Sequence, residues 1–227
     1  ALNTFIDILA KHNVPVEKDV RATLSEKLKA AEHHTIVDQP KETLYNVADM
    51  LTKLYNPLHE DGVMKKKVLI ASSLAKRFDL SKEEIDNLKI ATLLYDIGNL
   101  LIPPEILQKT TPLTEEEKTS IKAHPILAAR EILKPISVVH DILPIIEKHH
   151  ENWDGTGYPN KLSKDEIPMS SQIILIIDAY FALTETRPYR AKMSPEEALK
   201  VIKADSAKKW NPELVKEFIA IIKNELK

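Results

Sequence analysis

Glycine is almost absent from this chain: Gly62, Gly98, Gly155 and Gly157 are the only four among 227 residues. A polypeptide with so few positions free to take positive φ must be built from elements that need few, and helices are such elements. The helix starts are written plainly. Ser81 with Glu84, Thr114 with Glu117, and Ser194 with Glu197 have the spacing of capping boxes ahead of periodic segments. Pro195 falls in a first helical turn, where a missing N–H costs nothing. Asn211-Pro212 repeats the device, and Leu214, Val215, Phe218, Ile219 and Ile222 follow at helical spacing. Ile85, Leu88, Ile90, Ala91 and Leu94 read as the core-facing residues of another helix. No run of alternating strands separated by hairpin turns is present. The expected class is all-α.

Composition excludes several functions. Hydrophobic residues make up 43% and charged residues 29%, a balance able to bury a core. The net charge is −2 and the pI about 6.5. No basic field draws the chain to a nucleic-acid duplex. The one basic run, Lys65-Lys66-Lys67, reads as a solvated helix face. With no cysteine, disulfide scaffolds, zinc ribbons and thiol nucleophiles are out. That absence fits a reducing compartment, so a cytoplasmic location is expected. The longest apolar run, around Ile173 to Ile177, is too short to span a bilayer, and no signal peptide is visible. The chain begins at Ala1 without a Met, as a fragment of a longer protein does. Residues 1–40 are expected to form a separate helical segment ending at Val37-Asp38-Gln39-Pro40, with the main domain at 41–227.

Three of the four glycines fall in two short strings, where the backbone is expected to be specially shaped. The longer string is His149-His150-Glu151-Asn152-Trp153-Asp154-Gly155-Thr156-Gly157-Tyr158-Pro159. Adjacent histidines at a helix end point about 100° apart. They serve either a surface role or a site lying across that end, and the tight turn beside them favours the site. The irregular stretch from about Asn152 to Met169 has the length of a functional loop. Pro144 is expected to kink or split the segment leading to His149, and Pro125 puts His124 near a helix end. The shorter string is Leu94-Tyr95-Asp96-Ile97-Gly98-Asn99. Gly98 reads as a left-handed helix cap. Asp96, an acid opposing the helix dipole, is left without a reason unless a cation compensates it. Asp178, amid Ile173 to Phe181, is either a solvent-facing residue or a ligand. Asp96, His124, His149, His150 and Asp178 make a nitrogen–oxygen donor set without thiolate, suited to iron, manganese or zinc.

In this order, the strings resemble the HD-GYP family, whose signature pairs a His-Asp dyad with a later HHExxDGxGYP string. The later string is complete here. Ile102-Pro103, Pro112-Leu113-Thr114, His124-Pro125, Ile167-Pro168, Asp178-Ala179 and Arg187-Pro188-Tyr189-Arg190 extend the similarity over roughly residues 60 to 222. The resemblance implies an HD-type helical bundle around a multinuclear metal site, with residues 1–40 as a small helical extension. It implies two metal ions, iron first, with manganese or zinc as alternatives. It also implies hydrolysis of cyclic di-GMP or a related nucleotide. By the same resemblance His124, His149 and His150 hold one side of the site, Asp96 bridges, Asp178 binds the other side, and Glu60 takes an additional ion. Tyr158, Arg187 and Arg190 lie against the substrate.

The departures are specific. Tyr95 stands where the dyad has His, and core packing is its expected use. Met64 replaces an earlier metal-binding His one helical turn after Glu60, and His59 replaces that His only if the helix rotates. Asn99 stands where the family has a catalytic Lys, three residues beyond the dyad's Asp96. The expected function is therefore a metal-dependent phosphodiesterase with altered or weak activity. The alternative is a catalytically silent metal-containing sensor of a nucleotide, or a module that docks a protein partner.

Overall fold

The computed structural model describes residues 40–186 and 191–225, and residues 7, 8, 10 and 11 before them. Among these residues there is no strand, and helices follow one another through the chain. They are α1 (Pro40–Tyr55), α2 (Val63–Arg77), α3 (Lys82–Leu94), the single turn α4 (Pro104–Leu107) and α5 (Glu115–Lys122). Then come α6 (His124–Ile126), which continues as a π-helical stretch over Leu127–Leu133, and α7 (Leu143–Glu147). The last three are α8 (Met169–Thr184), α9 (Pro195–Ala204) and α10 (Pro212–Glu225).

All three expected capping boxes are formed, at the starts of α3, α5 and α9. A fourth, Ser163 with Glu166, opens a short 3-10 turn inside the long loop. Pro144 sits in the first turn of α7, after a 3-10 segment at Ser137–Ile142, so it starts a new helix there.

Helix α8 is the centre of the bundle. Ser170 to Ile177 are all buried, and the apolar run Ile173 to Ile177 covers every side of the helix, as only an interior helix can. It packs against α2, α3, α7 and α9. Leu88 and Ala91 of α3 and Leu214, Val215, Phe218 and Ile222 of α10 close the core around it. Ile8, from the N-terminal segment, joins the same core. Ile90 does not: it is exposed, because it lies about 200° around α3 from Leu88.

Two sequence readings change. Lys65 and Lys66 are exposed, but Lys67 is buried. Gly98 is not a left-handed cap, since only Gly62 and Gly155 among the glycines have positive φ. It sits in a 3-10 turn over Ile97–Leu101, and a Cβ there would come within 2.0 Å of the His124 carbonyl oxygen and 2.7 Å of Ala128 N. Close backbone approach, not φ, is what requires glycine at this position.

Candidate metal centre

Five separate segments deliver side chains to one cavity of about 540 Å³, a size typical of small-ligand sites. Lys67 comes from α2, Asp96 and Asn99 from the turn after α3, and His124 from the start of α6. His150 follows α7, and Asp178 lies on α8. Behind His150, His149 is fully buried. The Gly98 contact fixes the turn carrying Asp96 against the backbone of His124, so the two side chains meet: Asp96 Oδ1 is 3.2 Å from His124 Nε2.

Ligand nitrogens of His124, His149 and His150 all lie within 4.8 Å of one another. His124 Nε2 is 3.2 Å from both His149 Nε2 and His150 Nε2. The other ring nitrogens explain the orientation. His124 Nδ1 donates to the Ile121 carbonyl at 2.8 Å, and His149 Nδ1 donates to the Ile146 carbonyl at 2.6 Å. Tethered in this way, the His124 and His149 rings turn Nε2 toward each other. Lone pairs at such distances repel unless a proton or a metal cation lies between them. Backbone tethers of this kind are the usual outer partners of metal-ligating histidines. The donor set fits a metal ion.

The electrostatics agree. Burial, with the neighbouring His124 charge, drives the His149 imidazole down to about 4, so it is neutral at physiological pH. Burial and the two neighbouring imidazoles push His150 well below its usual range. His124 differs: burial lowers it, but the hydrogen bond and charge of Asp96 outweigh that and raise it. Burial favours the neutral Asp96 carboxyl, yet contact with His124 and the charges of His149 and Lys67 hold it well below the usual carboxylate range. The centre therefore presents the neutral imidazoles of His149 and His150 next to the ionised Asp96, whose contact favours the protonated form of His124.

The loop 151–168 folds back beside His150 without lining the cavity, so Tyr158, expected against the substrate, lies outside the lining. Glu151, buried, accepts from the backbone N–H of Asn160 at 2.6 Å and of Leu162 at 3.0 Å, and so holds the loop folded back. Tyr158 N donates to the His150 carbonyl at 3.1 Å. Gly157 permits this return, because a Cβ there would meet Asn152 N at 2.2 Å. As a result the Tyr158 ring stacks on His150, with centroids 4.9 Å apart and planes inclined by 23°.

Not every expected site residue enters the cavity. Glu60 is exposed and outside the lining. Asn99 lines the cavity and donates weakly to Asp96 Oδ1 at 3.3 Å. Arg187 and Arg190 lie outside the described residues. His59 lines the cavity but is held by Asp49, whose carboxylate also accepts from the N–H of Gly62 and Met64. Tyr95 is buried as expected, with its hydroxyl turned into the site. Burial, then the charges of Asp178 and Asp96, keep that phenol protonated.

Two functional residues escaped the sequence reading. Glu151 lies inside the long motif, but its role depends on the loop returning to it. Lys67 carried a signal. It is four residues after Val63 and four before Ala71, on the buried face of α2, so a helical wheel separates it from its two neighbours.

A family model described as HD domain matches residues 4–214. The chain is 31% identical over 186 residues to a cyclic di-GMP phosphodiesterase of Thermotoga maritima, covering 81% of this chain and 50% of that protein. It is 33% identical over 191 residues to 3'3'-cGAMP-specific phosphodiesterase 2 of Vibrio cholerae, covering 80% of this chain and 36% of that protein. The chain thus spans half or less of the length of these relatives. Among solved structures, an HDG"Y"P protein from Bdellovibrio bacteriovorus superposes with a TM-score of 0.58 at 19% identity, over 87% of this chain and 68% of that one. A cyclic GMP-AMP phosphodiesterase from V. cholerae gives 0.55 at 19%, over 81% and 49% respectively. The long glycine-shaped motif, the helical bundle and these likenesses agree: the chain belongs to the HD-domain family, and within it to the HD-GYP proteins.

Proposed function

We propose that this chain hydrolyses a phosphodiester bond of a cyclic dinucleotide, cyclic di-GMP or 3'3'-cGAMP, at metal held by His124, His149, His150 and Asp96. The observation that carries the reading is the meeting of three imidazoles and a carboxylate beside one cavity, with His124, His150 and Asp96 in its wall. Bound there, a cation supplies a nucleophilic water at neutral pH and positive charge for a phosphoryl group. Iron is the first choice, with manganese or zinc as alternatives, since the donors are imidazole and carboxylate without thiolate.

The chain's own residues do the rest. Asp96, ionised and beside His124, orients the donor set and can accept a proton from water. Tyr158, flat against His150, offers an aromatic face to a base or a ribose. Arg187 and Arg190 are assigned to the substrate phosphates, which guanidinium groups bind through paired hydrogen bonds. Asn99 orients but carries no charge, and lacking one electrostatic stabiliser costs on the order of 10²–10³ in rate. Slow turnover is therefore expected. Residues 41–227 form the catalytic unit in this reading, with 1–40 as its helical extension and a cytoplasmic nucleotide pool as its substrate source. No helix among the described residues is long and apolar enough to cross a membrane.

The neutral Asn99 and the Tyr95 hydroxyl at the site favour one second reading, a sensor that binds the nucleotide, and through it a protein partner, without cleaving it. Incubating anaerobically metal-loaded protein with each dinucleotide separates the two. A linear or mononucleotide product supports the enzyme, and saturable calorimetric binding without product supports the sensor. Neither binding nor product from metal-loaded protein would falsify both.

A further inference from the structure

We infer that Lys67 is a built-in cation standing where a second metal ion would otherwise sit, so that the centre takes a single ion on its histidine side. This rests on the metal reading above and narrows it. Lys67 is only 4% exposed, and an ammonium so deeply buried needs specific partners. It has them. Nζ donates to the Tyr95 hydroxyl at 2.8 Å, which donates in turn to Asp178 Oδ1 at 2.7 Å. An ammonium has no lone pair, so the direction of this chain is fixed: Lys67 gives, Tyr95 relays, Asp178 accepts. Nζ also lies 5.4 Å from the ring centre of Phe181, an aromatic face that stabilises a cation.

The two halves of the cavity are therefore compensated differently. On one side three imidazole nitrogens converge with Asp96. On the other, Asp178 is engaged by Tyr95, and the positive charge already present is Lys67. Neither Glu60, expected to take an additional ion, nor the residues standing at two of the family's metal-binding positions offer themselves there. Glu60 is exposed outside the lining, Met64 is a buried thioether, and Tyr95 spends its hydroxyl hydrogen on Asp178. A second dication next to Asp178 would face a fixed ammonium across a distance at which like charges repel strongly in a buried setting.

The test is metal stoichiometry. The full chain is equilibrated anaerobically with excess Mn²⁺, freed of loosely bound ions, and counted by elemental analysis, with electron paramagnetic resonance reporting isolated or coupled ions. One uncoupled ion per chain is expected. Two coupled ions overturn the role of Lys67 and leave the metal centre standing; no bound ion overturns both. Tyr95→His alone is expected still to hold one ion. Tyr95→His with Lys67→Ala is expected to take up a second at least about tenfold more tightly than Tyr95→His does. Equal second-ion affinity in the two variants overturns the inference, and the wild-type count stands even if a variant fails to fold.

Discussion

His149→Ala is expected to lose the metal while the helices remain. His149 is fully buried, its Nδ1 tethered to Ile146 and its Nε2 3.2 Å from that of His124. Removing an outer partner of a metal ligand already costs about 10–100-fold in affinity or activity. Removing one of three imidazoles should exceed that, so bound metal after dialysis should fall by more than about tenfold and any dinucleotide hydrolysis with it. The lost ring also packs edge-on against Tyr95, with centroids 5.1 Å apart, so a destabilisation of about 2–4 kcal/mol accompanies the change. Elemental analysis alongside circular dichroism checks both parts. Unchanged metal content in a helical variant contradicts the assignment.

Gly98→Ala is expected to be as damaging as a large side-chain truncation in the core. The added methyl would fall 2.0 Å from the His124 carbonyl oxygen, 2.8 Å from its carbonyl carbon and 2.7 Å from Ala128 N. All three are backbone atoms of α6 and its π-helical continuation, so no rotamer change relieves the clash. Overpacking that forces backbone to move costs about 3 kcal/mol or more. The same displacement would separate Asp96 from His124, so metal affinity should fall together with thermal stability. By contrast, Gly62→Ala meets nothing within 4 Å and is limited to the strain of its positive φ, 82°. A Gly98→Ala protein melting within a degree or two of wild type, with metal retained, would refute the close-approach explanation.

Features that depend on a few neighbouring residues were legible in the sequence. Capping boxes are made by residues three apart, and all three were found. Ser163 with Glu166 has the same spacing but opens only a three-residue turn, with no helix periodicity to mark it. The His149-His150 pair stood out because the loop after it is shaped by glycine. Gly98 misled, since a helix end followed by glycine has a familiar local explanation, whereas the true cause is a helix 26 residues further along the chain, at His124. Lys67 misled in the same way. A run of three lysines suggests solvent, and the partners that bury the third, Tyr95, Asp178 and Phe181, come from two other helical segments. Tyr95 was expected in the core and is there, but its hydroxyl link between Lys67 and Asp178 could not be read from sequence.

Anomalous diffraction at the iron edge, on crystals grown anaerobically from iron-loaded protein, gives the most direct view of this centre. A peak about 2.1 Å from the Nε2 atoms of His124, His149 and His150, and within reach of Asp96, is expected. Rings turned apart, with no peak between them in loaded crystals, would show that these side chains converge for some purpose other than holding a metal.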